Sequence, residues 1–509
     1  MQESMGAGRL SEDSLKTIES VVVPQKEIFE LPEKILQFGT GVLLRGLPDY
    51  YVDEANKQGI FNGRIVVVKS TAQNRADDFQ QQNGLYTLCL RGWQDGKATS
   101  RDVINSSISR VIDSVSNWPA VLETAGNPEM KIVFSNTTEV GIVLDEKDLL
   151  QEDATPRSFP GKLLAFLLKR FELFQGDPEK GMIIIPTELI TDNGRTLRKI
   201  CLELARINSL SQPFIEWLEN SNEFCDSLVD RIVSGKMESA QEAEEFKKLG
   251  YTDKLMIMSE VYGLWAIETA SEKTLDALSF RKVDPGVIVT SDIEKYRHMK
   301  LFLLNAPHTF TCVIAQALGF KFVNEAMSDK TFESFIRQLL IEEAVPAVAG
   351  PDITIEEATK FAEQVLDRFK NPYIDHRWSD ISKQMTLKIG MRCLPLISDY
   401  YVRFGKLPKQ MIRGLAAYLL FLKNQNMETT SASTELNGRI LPLTDAKAAI
   451  LAEHFSDKAN STEVLIARIL QDERLWPEAA IKATAGLHEL VAATATAMEG
   501  MGLGTQIKL

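Results

Sequence analysis

The stretch that most constrains the fold of this 509-residue chain is residues 34–71, near its amino end. A short apolar run ending at Phe38 is followed by a turn with Gly39 and Gly41, a segment of helical spacing, and the β-branched run 64–69. Glycine permits a tight turn and lets backbone N–H groups approach a pyrophosphate. A β-branched run is typical of a buried parallel strand. The order strand, helix, strand therefore predicts one half of a dinucleotide-binding sheet.

This turn departs from the common dinucleotide-binding pattern in two ways. The third glycine is displaced, because Gly46 stands five residues after Gly41 and directly follows Arg45. The second strand ends in Lys69-Ser70, whereas an acid at that place would bind the ribose hydroxyls. The residues alone therefore leave NAD and NADP open.

A second motif, far along the chain, carries groups that can move a proton. Lys300, Asn305 and His308 recur at i, i+5 and i+8 in an apolar run of helical spacing. On an ideal α-helix Asn305 lies about 140° and His308 about 80° around the axis from Lys300, so that an amine, an amide and an imidazole share one broad face. Such groups can exchange a proton with a carbonyl oxygen and hold that oxygen in place. The alternative is a core helix whose lysine reaches water and whose Asn305 caps a break before Pro307.

Composition favours a soluble enzyme of two domains. The length exceeds what one core usually supports, and 44% hydrophobic residues can fill two. A formal net charge of −13 offers no basic surface for nucleic acid and would repel an anionic membrane. The sequence shows neither a signal-peptide core nor an uncharged apolar run of about 18 residues, so we expect no membrane span. The five cysteines are scattered without metal or redox spacing, which favours the cytoplasm.

The hydrophobic pattern changes once along the chain. Apolar strands alternate with helices up to about residue 288, which predicts an α/β fold with a mostly parallel sheet, and helical spacing dominates afterwards. We predict a polar extension over 1–30, a Rossmann-type dinucleotide-binding domain over 31–288, and a helical substrate and catalytic domain over 289–509. The helices predicted in the last domain are 291–318, 331–344, 355–369, 379–401 and 409–424.

Three segments together resemble the polyol-specific long-chain dehydrogenases, the mannitol dehydrogenase family. They are the glycine turn from Phe38 to Arg45, the segment Val229-Asp230-Arg231-Ile232, and the set Lys300, Asn305 and His308. The resemblance implies a Rossmann-type domain followed by a largely helical one. It also implies hydride transfer, without a metal, between a nicotinamide cofactor and a sugar ketone or alcohol. Lys300 would then be the general acid/base, with Asn305 and His308 donating hydrogen bonds to the reacting oxygen.

The same resemblance implies a set of cofactor contacts. These are Phe38, Gly39, Gly41, Arg45, Asn136, Glu139 and Asp230. For Asn136 and Glu139, which follow an apolar strand, a helix cap with an acidic first turn is an equal alternative. For Asp230 the alternative is a surface pair with Arg231.

A narrower resemblance, to members of the family that act on uronates, is carried by residues 153–161 and by Pro186-Thr-Glu-Leu-Ile. It implies reduction of D-tagaturonate to D-altronate with NADH. Reduction of D-fructuronate and mannitol-type polyol oxidation are alternatives, and a non-catalytic nucleotide-binding protein on the same scaffold is an alternative of another class. Oligomeric state stays open.

A uronate carries a carboxylate, which a selective pocket should meet with a cation. Arg392 and Lys388 are the candidates, because a guanidinium can grip a carboxylate with two hydrogen bonds. A solvated helix end is their structural alternative. Glu188-Leu189 stands where mannitol dehydrogenases have Asp-Asn, so the substrate contact of that asparagine cannot be carried over.

Overall fold

The computed structural model describes residues 8–70, 76–94, 96–137, 141–151, 154–423, 425–426, 432–436, 439–455, 461–476 and 484–501. The chain divides into two compact units, residues 1–92 with 99–293, and residues 93–98 with 294–509. The division after residue 293 lies five residues beyond the boundary expected from the sequence.

The first unit is built on a six-stranded parallel sheet. The strands of the chain are β1 (Glu33–Phe38), β2 (Arg64–Lys69), β3 (Tyr86–Gln94), β4 (Lys97–Asn105), β5 (Ile108–Asp113), β6 (Ile132–Ser135), β7 (Ile183–Pro186), β8 (Glu223–Phe224), β9 (Ser227–Asp230), β10 (Val233–Gly235), β11 (Ile257–Glu260), β12 (Leu264–Glu268), β13 (Val287–Thr290), β14 (Gln425–Asn426), β15 (Ala432–Leu436) and β16 (Arg439–Leu443). The sheet has the order β5-β2-β1-β6-β7-β8, and each neighbouring pair is parallel. The strand order reverses between β1 and β6, and in doubly wound folds the carboxyl ends at such a reversal form the nucleotide crevice.

Both faces of this sheet are covered by apolar cores. Ile35 and Phe134 belong to the cluster on one face, whereas their neighbours Leu36 and Val133 belong to the cluster on the other. Because successive side chains of a strand point to opposite faces, a strand buried on both sides reads as an unbroken apolar run. That property made the central strands recognisable in the sequence, and the predicted α/β class is confirmed.

Helices and two smaller sheets complete the first unit. The α-helices are Val42–Gly46, Pro48–Lys57, Ala76–Gln81, Trp118–Glu123, Phe159–Leu173, Asn193–Ile207, Gln212–Asn220, Ser239–Leu249 and Glu272–Ala277. Short 3-10 helices lie at Ser14–Thr17, Lys26–Glu30, Thr124–Gly126, Pro178–Lys180 and Ser279–Lys282. The smaller sheets have the orders β13-β12-β9 and β10-β11-β3-β4.

The amino-terminal segment packs on the first unit instead of standing apart as a polar extension. Leu10 and Ile28 are buried, and Leu10 shares a core cluster with Leu85 and Tyr251. Arg9 forms a β-bridge with Thr252. Residues 8–30 therefore belong to the fold of this unit.

The second unit is largely helical, with the antiparallel sheet β14-β15-β16. Its α-helices are Glu294–Met299, Ala306–Leu318, Val323–Met327, Lys330–Arg337, Val345–Val348, Ile355–Phe369, Trp378–Ile381, Met385–Lys388, Leu394–Phe404, Lys409–Lys423, Ala448–Phe455, Thr462–Leu470 and Leu487–Met501. Among the described helices, the stretch 294–318 has the length and apolar composition that a membrane span needs, but 83% of its most apolar window is buried within the protein, as in a core helix.

Wide turns join several of these helices. They are the π-helical segments Lys300–Asn305, Gln338–Ala344 and Ile389–Cys393. A proline occupies the second position of the α-helix that follows each, namely Pro307, Pro346 and Pro395. Proline lacks an N–H and its ring excludes the carbonyl four residues before it, so the helix widens into i→i+5 bonding. The break expected before Pro307 is instead a widened turn within a continuing helix.

Candidate functional site

The glycine turn after β1 has the shape that a dinucleotide requires. Gly39 has φ +126°, and a Cβ there would lie 2.9 Å from the carbonyl oxygen of Asn136, so other residues do not fit. A Cβ on Gly41 would meet nothing nearer than Asn136 Oδ1 at 4.0 Å, which leaves an open approach to the backbone. The side chain of Phe38 points away into the core, with its ring centroid 5.2 Å from that of Phe159. A contact from Phe38 to a cofactor would therefore come from its backbone.

Arg45 supports this turn from inside the protein. It is buried, and its guanidinium donates to the carbonyl oxygens of Thr40 and Leu255. Gly46 explains the displaced third glycine, because a Cβ there would lie 2.7 Å from Val233 Cγ2. The glycine thus lets the helix Val42–Gly46 pack closely on β10.

The loop after β6 adjoins the glycine turn through Asn136. The backbone N–H of Asn136 donates to the carbonyl of Phe38 at 3.2 Å, and its side-chain amide donates to the carbonyl of Thr187 at 3.0 Å. The NH2 group of the amide therefore joins two loops. The predicted contact Glu139 lies outside the described residues.

Asp230 ends β9, and the following Arg231 ties this segment to the helix after the glycine turn. Arg231 donates to the carbonyl oxygen of Gly46 at 2.8 Å, and its guanidinium lies 4.7 Å from the ring centroid of Tyr50. Both Asp230 and Arg231 are buried, so the alternative of a solvent-exposed ion pair does not describe them.

Asp113 is a residue that the sequence analysis missed. β2 and β5 are neighbours, with Lys69 opposite Asp113, and Lys69 Nζ lies 3.0 Å from Asp113 Oδ2. Burial raises the pKa of Asp113, but hydrogen bonds from Lys69 and from the N–H of Val115 outweigh it and lower the pKa overall. The ionised carboxylate of Asp113 thus lies beside the end of β2, where the usual acid is missing. The available signal was the acid at the end of β5, which becomes informative only when the strand order is known.

In the second unit, the π-helical turn changes the geometry expected for the Lys300 motif. Bonding of the type i→i+5 widens the turn, so the angle around the axis between Lys300 and Asn305 is smaller than about 140°, the value for an ideal α-helix. The turn packs against the helix Ile355–Phe369 and the π-helical turn Ile389–Cys393. Lys300 and Asn305 are partly exposed, whereas His308 is buried.

One ring nitrogen of His308 makes a hydrogen bond, and the other has no partner among the described residues. The ring donates a hydrogen bond to the Leu304 carbonyl, and Nε2 is buried with no partner among the described residues. Burial, reinforced by nearby His376 and by the charges of Arg368 and Arg392, lowers the pKa of His308 well below its usual range. A neutral ring with its proton on Nδ1 presents a lone pair at Nε2. In this state Nε2 of His308 can accept a hydrogen bond, whereas the resemblance implies that His308 donates one.

Two cationic side chains, Arg368 and Arg392, lie near this imidazole. Arg392 Nη1 donates to the Asn305 carbonyl at a marginal 3.5 Å, and its buried Nε has no partner among the described residues. Lys388 donates to the carbonyl of Ile381 at 2.8 Å. Burial lowers the pKa of both side chains. The structure thus places Arg392 beside the motif, which a solvated helix end would not do.

Aromatic rings complete the surroundings of His308. The ring centroids of Phe369, His376 and Trp378 lie 4.0, 5.1 and 6.0 Å from that of His308. His376 was not singled out in the sequence, because neither spacing nor a motif marks it. Burial and the charge of Arg368 lower its pKa.

Comparison with known families decides the relationship. Residues 33–278 match the Rossmann domain of mannitol dehydrogenase, and residues 292–499 match the mannitol dehydrogenase C-terminal domain. The chain belongs to the mannitol dehydrogenase family. As a member of that family it is a polyol-type dehydrogenase, an oxidoreductase acting on CH–OH groups.

Relatives within the mannitol dehydrogenase family share most of the chain. The altronate oxidoreductase of Halalkalibacterium halodurans is 40% identical over 77% of this chain and 76% of its own length. The altronate oxidoreductase of Bacillus subtilis is 36% identical over 88% of this chain and 89% of its own.

Two solved structures share this fold. Mannitol 2-dehydrogenase of Pseudomonas fluorescens, in a ternary complex with NAD and D-mannitol, is 22% identical with a TM-score of 0.68, covering 98% of this chain and 99% of its own. A substrate-free D-sorbitol dehydrogenase is 19% identical with a TM-score of 0.77, covering 98% of this chain and 100% of its own.

Proposed function

We propose that this protein catalyses reversible, NAD-dependent hydride transfer between D-tagaturonate and D-altronate in hexuronate catabolism. Relatives at 36% and 40% identity bear the name altronate oxidoreductase. The structural observation that carries the proposal is that two buried atoms near the turn of Lys300 and Asn305, His308 Nε2 and Arg392 Nε, have no hydrogen-bond partner in the part of the chain that the structure describes. Buried polar atoms usually have partners, so this pair indicates a polar ligand.

The residues of the first unit fit a nicotinamide dinucleotide, which supplies the hydride in reduction and accepts it in oxidation. Gly39 and Gly41 would bring backbone N–H groups to the pyrophosphate, and Asn136 would line the nicotinamide side. Asp113 would accept hydrogen bonds from the adenosine ribose. Its negative charge opposes the extra phosphate of NADP, which supports NAD as the cofactor.

The residues of the second unit would handle the proton. During reduction, Lys300 gives a proton to the oxygen that becomes the hydroxyl, and Asn305 donates to that oxygen as negative charge develops on it. His308 accepts a hydrogen bond at Nε2 from a hydroxyl of the substrate. During oxidation, the Lys300 amine accepts the proton from the alcohol. We propose this chemistry without a metal, because the charges of Arg368 and Arg392 near His308 would repel a divalent cation.

The substrate carboxylate would be held by Arg392, with Lys388 nearby. Arg392 Nε has no partner within the described ranges, and the contact of Nη1 with the Asn305 carbonyl is weak at 3.5 Å. A charge-assisted bond to a carboxylate would satisfy it. The five cysteines are unpaired and buried, which supports the cytoplasm as the proposed location.

The test is the near-ultraviolet absorbance of NADH in a mixture of the protein with D-tagaturonate, D-fructuronate or D-fructose, and the same panel with NADPH. We expect fast loss of the signal with NADH and tagaturonate. If the NADH absorbance falls with fructuronate alone, the protein is a fructuronate reductase. If it falls with fructose alone, the protein is a mannitol-type dehydrogenase. Cofactor binding with no oxidation in any mixture would leave a non-catalytic nucleotide-binding protein and overturn the proposal.

A further inference from the structure

Glu188 joins the loops that follow two neighbouring strands of the main sheet. It stands two residues after the end of β7 and is buried. Its Oε1 accepts the backbone N–H of Thr137 at 2.9 Å and the hydroxyl of Thr137 at 3.0 Å. Its Oε2 accepts the hydroxyl of Ser135 at 3.1 Å. One carboxylate therefore holds both residues that flank Asn136.

The segment held in this way forms one wall of the glycine turn. The carbonyl oxygen of Asn136 occupies the space that a Cβ on Gly39 would need, and the N–H of Asn136 bonds to Phe38. β1 and β6, which precede these two loops, are the strands between which the sheet order reverses. A displacement of residues 135–137 would therefore change the crevice where a dinucleotide is expected.

A carboxylate in this place is held by uncharged donors. Burial raises the pKa of Glu188, and the bonds from Thr137 and Ser135 oppose that rise. Among the described residues, no lysine, arginine or histidine forms an ion pair with Glu188. Removing the side chain would take the acceptor from the N–H and hydroxyl of Thr137 and from the hydroxyl of Ser135.

We propose that Glu188 is a positioning residue, which fixes residues 135–137 in the conformation that receives the nicotinamide cofactor. The inference rests on the proposed function, because it requires that cofactor to bind at the carboxyl end of the sheet. It also gives a role to the position at which this chain departs from the Asp-Asn of mannitol dehydrogenases.

The test compares Glu188→Leu with Glu188→Gln by titrating each purified protein with NADH and following the fluorescence of the bound cofactor. We expect the leucine variant to raise the NADH dissociation constant by about tenfold or more, because the loop loses its acceptors. Glutamine should stay within about twofold of the wild type, since its amide oxygen can accept from Thr137 while its NH2 donates to the Ser135 oxygen.

Asp53 offers a matched control at the opposite edge of the sheet. Its Oδ1 accepts the N–H and the hydroxyl of Ser106, just before β5, at 2.7 and 2.8 Å. Asp53→Leu should lower the melting temperature and leave NADH affinity unchanged. An equal loss of affinity in Asp53→Leu and Glu188→Leu, or wild-type affinity in a folded Glu188→Leu, would overturn the proposal.

A further variant keeps the test decisive if Glu188→Leu does not fold. Ser135→Ala removes a single bond to Glu188 and should weaken NADH binding by a few fold, with turnover at saturating NADH less affected; unchanged affinity would count against the proposal. Failure of the wild type to bind NADH would instead refute the proposed function, so the two failures are distinguishable.

Discussion

The candidate site residues of the two units use their polar groups in different ways. At the carboxyl end of the main sheet, Asn136, Glu188 and Arg45 bond to neighbouring loops and so shape the backbone. In the helical unit, His308 and Arg392 each keep a buried polar atom with no partner among the described residues. The first arrangement suits a ligand recognised through backbone shape, and the second suits a ligand that completes the bonds of side chains. Variants in the first unit should therefore weaken cofactor binding, whereas variants in the second unit should change turnover or substrate binding.

The largest effect is expected from Lys300→Met. Loss of the general acid/base should lower kcat by about 10²–10⁴-fold, while NADH affinity, set by the first unit, stays unchanged. Lys295→Met is the control, because Lys295 makes a partly exposed pair with Glu357 at 3.2 Å and should be dispensable. Steady-state kinetics and NADH titration of both variants check this. Retention of most activity in Lys300→Met would remove the lysine from the chemistry.

Arg392→Met should separate charged from neutral substrates. We expect KM for the hexuronate to rise by roughly 10- to 100-fold, because a bond to a charged group is lost, and KM for a neutral ketose to change far less. Arg337→Met, which breaks an exposed pair with Glu363, should change neither KM. Equal increases for hexuronate and ketose in Arg392→Met would exclude the carboxylate role.

Gly39→Ala tests the first unit. The positive φ and the Asn136 oxygen 2.9 Å from the added Cβ should distort the turn and weaken NADH binding by about tenfold. Gly59→Ala is the control, since Gly59 also has a positive φ but open space around it. That variant should lose a little stability and no affinity; similar affinities in the two variants would argue against the turn as the cofactor site.

The smallest effect concerns the stability of the second unit at acid pH. His308 has a lower pKa in the folded protein than its ordinary 6.5, so the unfolded chain binds more protons as the pH falls below about 6.5, and stability is lost there. Between pH 7.5 and 5.5, the His308→Gln variant should lose about 1.4 kcal/mol less stability than the wild type. Denaturant unfolding at pH 7.5 and 5.5 measures the difference, and identical pH slopes would refute a neutral buried imidazole.

Local patterns were enough to predict most of the fold. The β-branched run of β2 and the apolar run of β1 read as buried parallel strands because both faces are covered. The helical spacing around Ile355–Phe369 likewise gave its bounds. Such signals lie within a few residues of one another, which is why the sequence reveals them.

The site depended on contacts that local patterns do not contain. The pairing of Lys69 with Asp113 requires the knowledge that β2 and β5 are neighbours. The smaller angle between Lys300 and Asn305 arises from the widened turn before a proline, where ideal α-helical geometry fails. The acceptor role of His308 follows from its bond to a carbonyl one turn earlier. The sequence offered candidate groups such as Lys300, Asn305 and His308. It missed Asp113 and His376, and it could not give the orientations of any of these side chains.

The most direct test follows the hydride itself. NADH carrying deuterium at the transferred position should be incubated with the protein and D-tagaturonate, and the product analysed by mass spectrometry and nuclear magnetic resonance. The account predicts D-altronate with one deuterium on the new carbinol carbon. Product without deuterium, or unchanged tagaturonate beside bound NADH, would contradict it.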